Sequence, residues 1–254
     1  MSNWWTWWTS PTTGRRYWDQ DQISWLYGQF TALGLSDNAV CGLFGNLYWE
    51  SGICPMKCEG IPIVNQSLNE TINRIRPATR SEFIAQVYNG GTGYSLAQWS
   101  YVRKGDYYDW PNPTQRDVQW AWLGTEYQIQ RDGPFLIHDL QQHPDTRSIN
   151  ENIWSAQGKT VWQWLSDPGV SLDDALNAVL MLYEKPWSSA PTQAQYNTEF
   201  NQRRGPAGDI MQDFAGLTPP TPPTPPPTPP GPGPVNGLPI WLYFKMKEMN
   251  GNAK

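Results

Sequence analysis

The stretch from Thr218 to Pro234 is almost purely proline, threonine and glycine, and it limits how much of the 254-residue chain can share one core. Such a segment buries too little apolar surface to fold, and its prolines stiffen it toward polyproline II. At about 3.1 Å per residue it spans on the order of 50 Å, which makes it a spacer. Roughly 200 residues precede it, a usual size for a single core. The expected division is an aromatic arm over residues 1–18, a mainly α domain over 19–205, a linker including the spacer over 206–236, and a terminal peptide over 237–254. That peptide carries the apolar cluster Leu238-Pro239-Ile240-Trp241-Leu242-Tyr243-Phe244, too short to cross a membrane. It reads as a docking element for a partner protein; folding back on its own domain is the alternative.

Charge removes one class of function. The net charge is -5 and no basic block occurs, so the phosphate-neutralising surface that drives nucleic-acid binding is missing. No run approaches the length of a membrane span. The start, Met1-Ser2-Asn3-Trp4-Trp5, lacks the pattern of a signal peptide, so a role outside the cell implies delivery by other means. The three cysteines Cys41, Cys54 and Cys58 are too few and too odd in number for a disulfide scaffold. Cys54 and Cys58 could pair, or join His138 or His143 at a metal, but they read most simply as free thiols. No metal and no cofactor is expected. The 16 Trp and 12 Tyr suit both a core and the apolar faces of sugar rings, and composition does not separate the two uses.

Periodicity and caps predict helices. Ile23, Leu26, Tyr27 and Phe30 recur at helical spacing from Asp19 until Gly34. Ser36 is an N-cap with Asp37 in the first turn, and Gly52 with Pro55 stops that second helix. Its apolar stripe is Ala39-Val40, Leu43-Phe44 and Leu47-Tyr48. Shorter helices are expected over Glu82–Tyr88, Gln115–Arg131 and Val161–Leu165. Ser171 caps a last one, with Ala175, Val179, Leu182 and Tyr183 on its apolar face. Helices outnumber plausible strands heavily.

Glu50 ends the second helix. It lies seven residues after Leu43 and four after Asn46, on the side of the apolar stripe. Helix macrodipole and desolvation both favour a protonated carboxyl there. A positioned acid is what cleavage of a glycosidic bond requires, because the leaving oxygen is a poor base. On spacing alone, a carboxylate pointing into solvent from a frayed helix end is the favoured reading.

Asn46-x-x-x-Glu50-Ser51-Gly52, with Pro55 close behind, resembles the catalytic segment of phage tail lysozymes and, more loosely, of goose-type lysozymes and lytic transglycosylases. Gly93-Tyr94-Ser95-Leu96-Ala97-Gln98-Trp99 is similar to a second signature of the family, and Leu182-Tyr183-Glu184-Lys185-Pro186 to the aromatic-Glu-Arg-Pro segment that closes these domains. Lys185 stands where the family has Arg, and a lysine does not replace a bidentate fork. The likeness covers roughly residues 19–205 and extends to the lysozyme domain of tail-knob proteins from short-tailed phages of Gram-positive hosts. It implies a lysozyme-like fold, bacterial peptidoglycan as substrate, and a place in the virion at the tail tip, acting at the host cell wall during genome entry. By matching position, Glu50 is the general acid. Gln98 would orient a water or bond an acetamido group, and Tyr94 and Trp99 would wall the cleft. Tyr183 and Glu184 fall to structural roles, Tyr183 on the buried side of its helix.

A second carboxylate is usual in glycosidases. Glu59, Asp106 and Asp109 are the candidates, none of them in a recognisable motif, so hydrolysis and transglycosylation both stay open, with hydrolysis favoured. Two rivals stand beside this reading. One is a lysozyme-like module that binds or caps the tail tip without catalysis. The other is a thiol peptidase with Cys41 as nucleophile and His138 or His143 as base, disfavoured by the small and apolar neighbours of Cys41 within a helix. On the docking reading, deletion of residues 237–254 is expected to leave glycan cleavage intact while releasing the domain from phage particles; particles that retain the truncated protein would contradict it.

Overall fold

The computed structural model describes residues 7–55, 57, 80–85, 93–110, 128–143, 150–184, 186–187 and 189–216. Glu59, Cys58 and Lys185 lie outside them, as do the spacer, the terminal peptide and the greater part of the helix expected over Gln115–Arg131.

The chain opens with a small antiparallel hairpin, β1 (Trp8–Thr9) and β2 (Arg16–Tyr17), with Trp8 opposite Tyr17. Helices follow: α1 (Gln20–Ala32), α2 (Asp37–Ser51), α3 (Arg80–Ala85), α4 (Tyr101–Asp109), α5 (Gln128–Gln142), α6 (Val161–Leu165) and α7 (Leu172–Ala178). A π-helical turn, Val179–Glu184, continues α7, and α8 (Gln193–Phe214) is the longest described element.

Side-chain caps open the helices, at Ser36 and Ser171 as expected and also at Asp19 and Thr160. The Asp19 side chain accepts from Gln22 N–H at 3.0 Å and Ser36 Oγ from Ala39 N–H at 3.3 Å. Thr160 and Gln163 form a capping box at the start of α6. Gly34 and Gly52 close α1 and α2 at φ +87° and +69°, where a residue without Cβ carries no steric penalty.

α2 is the hub. From Ala39 to Leu47 every residue is buried, so the helix is enclosed on all sides rather than along the one stripe that periodicity predicts. Leu43, Phe44 and Leu47 fill the apolar side, and Phe44 meets Tyr27 and Phe30 of α1 edge-on at 5.7 and 6.1 Å. Glycines serve the other sides. A Cβ on Gly42 would stand 2.7 Å from Ala175 Cβ and the Leu176 N of α7, and one on Gly45 would stand 2.7 Å from Ala207 Cβ and 2.9 Å from the Arg203 O of α8.

α8 departs from the expected boundary at residue 205. It runs unbroken through Gly205-Pro206 to Phe214 and buries Arg203, Ala207, Ile210 and Phe214 as one face. Residues 8–17, expected as an extended arm, form instead a hairpin docked on the end of this helix. Ser10 Oγ, Thr13 Oγ1 and Tyr17 OH all donate to Asp213 at 2.6, 2.9 and 2.9 Å. Arg15 Nε donates to Asp209 at 2.5 Å, and Phe214 packs edge-on against Trp8 and Tyr17. α5 likewise continues past the expected end at Arg131, through Gly133 and Pro134. No helix among the described residues is long and apolar enough to cross a membrane.

Gly45→Ala is expected to lower stability by about 1–3 kcal/mol through overpacking, because the methyl would meet backbone as well as Ala207. Thermal unfolding checks this; an unchanged melting temperature would contradict the close α2–α8 approach.

Candidate active site

The last turn of α2 carries Tyr48, Trp49, Glu50 and Ser51, where the buried hub reaches the surface. Ser51 faces inward, and its hydroxyl donates to the carbonyls of Leu47 at 3.0 Å and Leu96 at 2.8 Å. The first motif is thereby tied to the second. Trp49 is 47% exposed, and Glu50 retains 23% of its side-chain surface. Gly52 and Ile53 turn the chain away through left-handed backbone.

The second motif is a closed loop. Tyr94 and Trp99 exchange backbone hydrogen bonds at 3.0 and 2.9 Å, and Ser95 and Gln98 between them hold φ of +70° and +46°. Strained non-glycine conformations of this kind persist only where the surroundings hold them. Here Ser95 Oγ donates to Asp132 at 2.5 Å and Ser95 N–H to the Lys57 carbonyl at 2.8 Å. Asp132 is fully buried and also accepts from Tyr107 OH at 2.7 Å; burial pushes its carboxyl up to about 6 despite these donors.

Tyr94 and Trp99 are completely buried, which corrects their expected place as cleft walls. The Tyr94 hydroxyl accepts from Gln128 Nε2 at 2.5 Å, and Trp99 stacks on Tyr107 at 5.1 Å and meets Phe135 edge-on at 4.8 Å. Large flat rings in this loop serve the core, the reading that composition had left open. Gln98 is half-buried. Its Nε2 donates to the carbonyls of Ser95 and Lys57 at 2.7 and 3.1 Å, while its Oε1 has no hydrogen-bond partner among the described residues.

The third motif closes the ring. Trp99 Nε1 donates to Asp139 at 3.0 Å, Tyr183 OH donates to the same carboxylate at 2.6 Å, and Arg103 grips it at 2.7 Å while its guanidinium lies 4.1 Å from the Tyr183 ring centroid. Tyr183 is buried as expected. Glu184 follows at the end of the π-helical turn.

Glu50 has a partner that the sequence did not disclose. Arg203 of α8, 1% exposed, donates from Nη2 to Glu50 Oε1 at 2.6 Å and binds Glu199 through Nη1. A guanidinium at that distance favours the ionised carboxylate, opposing the macrodipole and desolvation effects expected for a helix-end glutamate. A second carboxyl also acts here. Burial, then the negative charge of Glu50, push Glu184 up to about 8, against the lowering influence of Arg103 and Arg203. This is the residue that motif matching had assigned to structure. Of the three expected candidates, Glu59 lies outside the described residues. Asp109 is engaged by Arg80 at 2.7 Å, and Asp106 is exposed on α4.

Cys41 cannot serve as a ready nucleophile. It is fully buried against Tyr27 OH at 3.6 Å, and burial pushes its thiol up to about 12, leaving it almost wholly unionised near neutral pH.

The three motifs thus meet around the end of the central helix, where Glu50 and Arg203 form an ion pair. The model of the phage tail lysozyme family matches residues 23–214, and the chain belongs to that family. It is accordingly a mainly α protein of lysozyme-like fold and a phage peptidoglycan hydrolase of the lysozyme class. No curated protein and no solved structure matches the chain.

A carboxyl held protonated by the fold costs stability as pH rises. Glu184 binds its proton more tightly folded than unfolded, so its contribution is complete below its ordinary range near 4.5 and is lost as pH climbs to about 8. Between pH 6 and 8, above the range of Asp132, Glu184→Gln is expected to flatten the decline of melting temperature; parallel wild-type and variant curves would contradict the buried neutral carboxyl.

Proposed function

We propose that this protein is a tail-tip muramidase that hydrolyses the glycan strand of the host cell wall during genome entry, with Glu50 as general acid. The observation that carries this reading is the placement of Glu50: a carboxyl at the exposed end of an otherwise enclosed helix, held by Arg203 at 2.6 Å and close enough to a second carboxyl, Glu184, for their charges to interact. Glu50 donates a proton to the glycosidic oxygen as the bond to the anomeric carbon breaks, and water completes the cleavage. Gln98 would orient a water or bond an acetamido group from the loop that Ser51 ties to the end of α2. The exposed indole of Trp49 offers an apolar face to a sugar ring next to that acid.

Delivery fits the same reading. The proline-threonine spacer and the apolar peptide over 237–254 would hold the enzyme to the tail while letting it reach the wall.

Reducing-end release from purified peptidoglycan, compared between wild type and Glu50→Gln across several pH values, tests the assignment. Glu50→Gln keeps an oxygen for Arg203 and is expected to fold while losing at least about a hundredfold in rate. Retained activity would remove Glu50 from the role of acid. A folded wild type that releases no reducing ends from several wall types would favour a binding or capping module instead.

A further inference from the structure

Glu184 stands among charges from every element around it. Glu50 of α2, Arg103 of α4, Asp139 of α5 and Arg203 of α8 all act on its charge. Tyr183 precedes it in the π-helical turn, with the His143 ring 5.3 Å from that tyrosine. Both cations already have carboxylates of their own. Arg103 holds Asp139 at 2.7 Å, and Arg203 is divided between Glu50 at 2.6 Å and Glu199. Glu184 Oε1, meanwhile, is closed off from solvent and has no hydrogen-bond partner among the described residues, although the residue keeps part of its surface. An ionised carboxylate would leave that oxygen desolvated, unpartnered and next to the second anion, Glu50. Such a state is costly, and a carboxyl so placed takes up a proton instead.

We propose that Glu184 is a positioning residue for the reacting proton: its buried carboxyl and that of Glu50 form a pair that holds one proton across the neutral range, so that Glu50 can present a proton to the glycan although Arg203 favours its ionised form. The inference rests on Glu50 being the acid. Two interacting carboxyls titrate as a unit, and the proton belongs to the pair. The proton rests mainly on Glu184, and the less populated form that carries it on Glu50, with Glu184 as the anion, is the reactive one; in that form the negative charge of Glu184 strengthens the hold of Glu50 on the proton. Catalysis moves this proton to the glycosidic oxygen as the carbon–oxygen bond breaks. The attacking water gives its hydroxyl to the sugar and its remaining proton back to the pair. The raised position of Glu184, about 8, agrees with a proton retained through neutrality.

The pH profile of reducing-end release for Glu184→Gln separates this role from a merely structural one. Without the second carboxyl, Glu50 loses its proton as a lone, arginine-paired group. The variant is therefore expected to come within about threefold of wild type only near pH 4 and to fall at least about tenfold behind at pH 8, an acidward shift of the alkaline limb. A loss by one constant factor at every pH would overturn the proposal. Infrared titration keeps it testable should that variant fail to fold. Wild type is expected to show a protonated carboxyl band persisting above pH 6 and disappearing near 8, and Glu50→Gln to lose the band at lower pH. Absence of the band above pH 6 in wild type, or an unshifted titration in Glu50→Gln, would overturn the proposal. Activity retained in Glu50→Gln would instead strike the assignment of the acid itself.

Discussion

Backbone meets backbone where α2 crosses α8, and the site depends on that contact. With hydrogen alone on Gly45, Ala207 and the carbonyl of Arg203 come within van der Waals reach of the hub helix. The same approach sets the guanidinium of Arg203 on Glu50, one and a half turns further along α2. A larger residue at 45 would move the cation and the carboxylate apart together. Packing at the hub and electrostatics at its end are therefore one constraint expressed twice. Arg203 is almost wholly buried, a position it can hold because two carboxylates share its charge.

Around that end the polar network is continuous. Ser51 ties the end of α2 to Leu96, Trp99 ties the loop to Asp139, and Asp139 gathers Arg103 and Tyr183 just before Glu184. Three segments far apart in sequence thus meet through named bonds. The left-handed residues Ile53, Ser95 and Gln98 all lie within this framework, where surrounding hydrogen bonds hold conformations the chain would otherwise leave. Glu50 is fixed by its arginine and Glu184 by the packing around it. Neither position is left to a flexible loop.

Local rules made a large part of this architecture readable. Caps at Ser36 and Ser171 and the stops at Gly34 and Gly52 are one-residue signals of backbone chemistry, and the helices they bound are present. The failures share a cause: tertiary packing overrode a local signal. Gly205-Pro206 reads as a break, yet α8 passes through it because Ala207, Ile210 and Phe214 bury against the hub and the hairpin. Its stripe was hidden because Arg203, a charge, occupies a core position. The same holds for Gly133-Pro134 in α5. At the site, Glu50 was legible from its place at a helix end, but its ion pair joins residues 153 apart in sequence, beyond any spacing rule. Tyr94 and Trp99 followed the motif and not the cleft, since aromatic rings serve cores as readily as ligands.

The proposed site sets Glu50 at the end of an enclosed helix, paired with Arg203 and within the electrostatic reach of Glu184. The measurement that bears most directly on this is digestion of purified peptidoglycan in oxygen-18 water, with the products weighed by mass spectrometry for wild type and for Glu50→Gln. Hydrolysis at this site predicts new reducing ends that carry one heavy oxygen in wild type and are absent in the variant. Anhydro-sugar products without the label, or labelled ends formed equally well by Glu50→Gln, would contradict it.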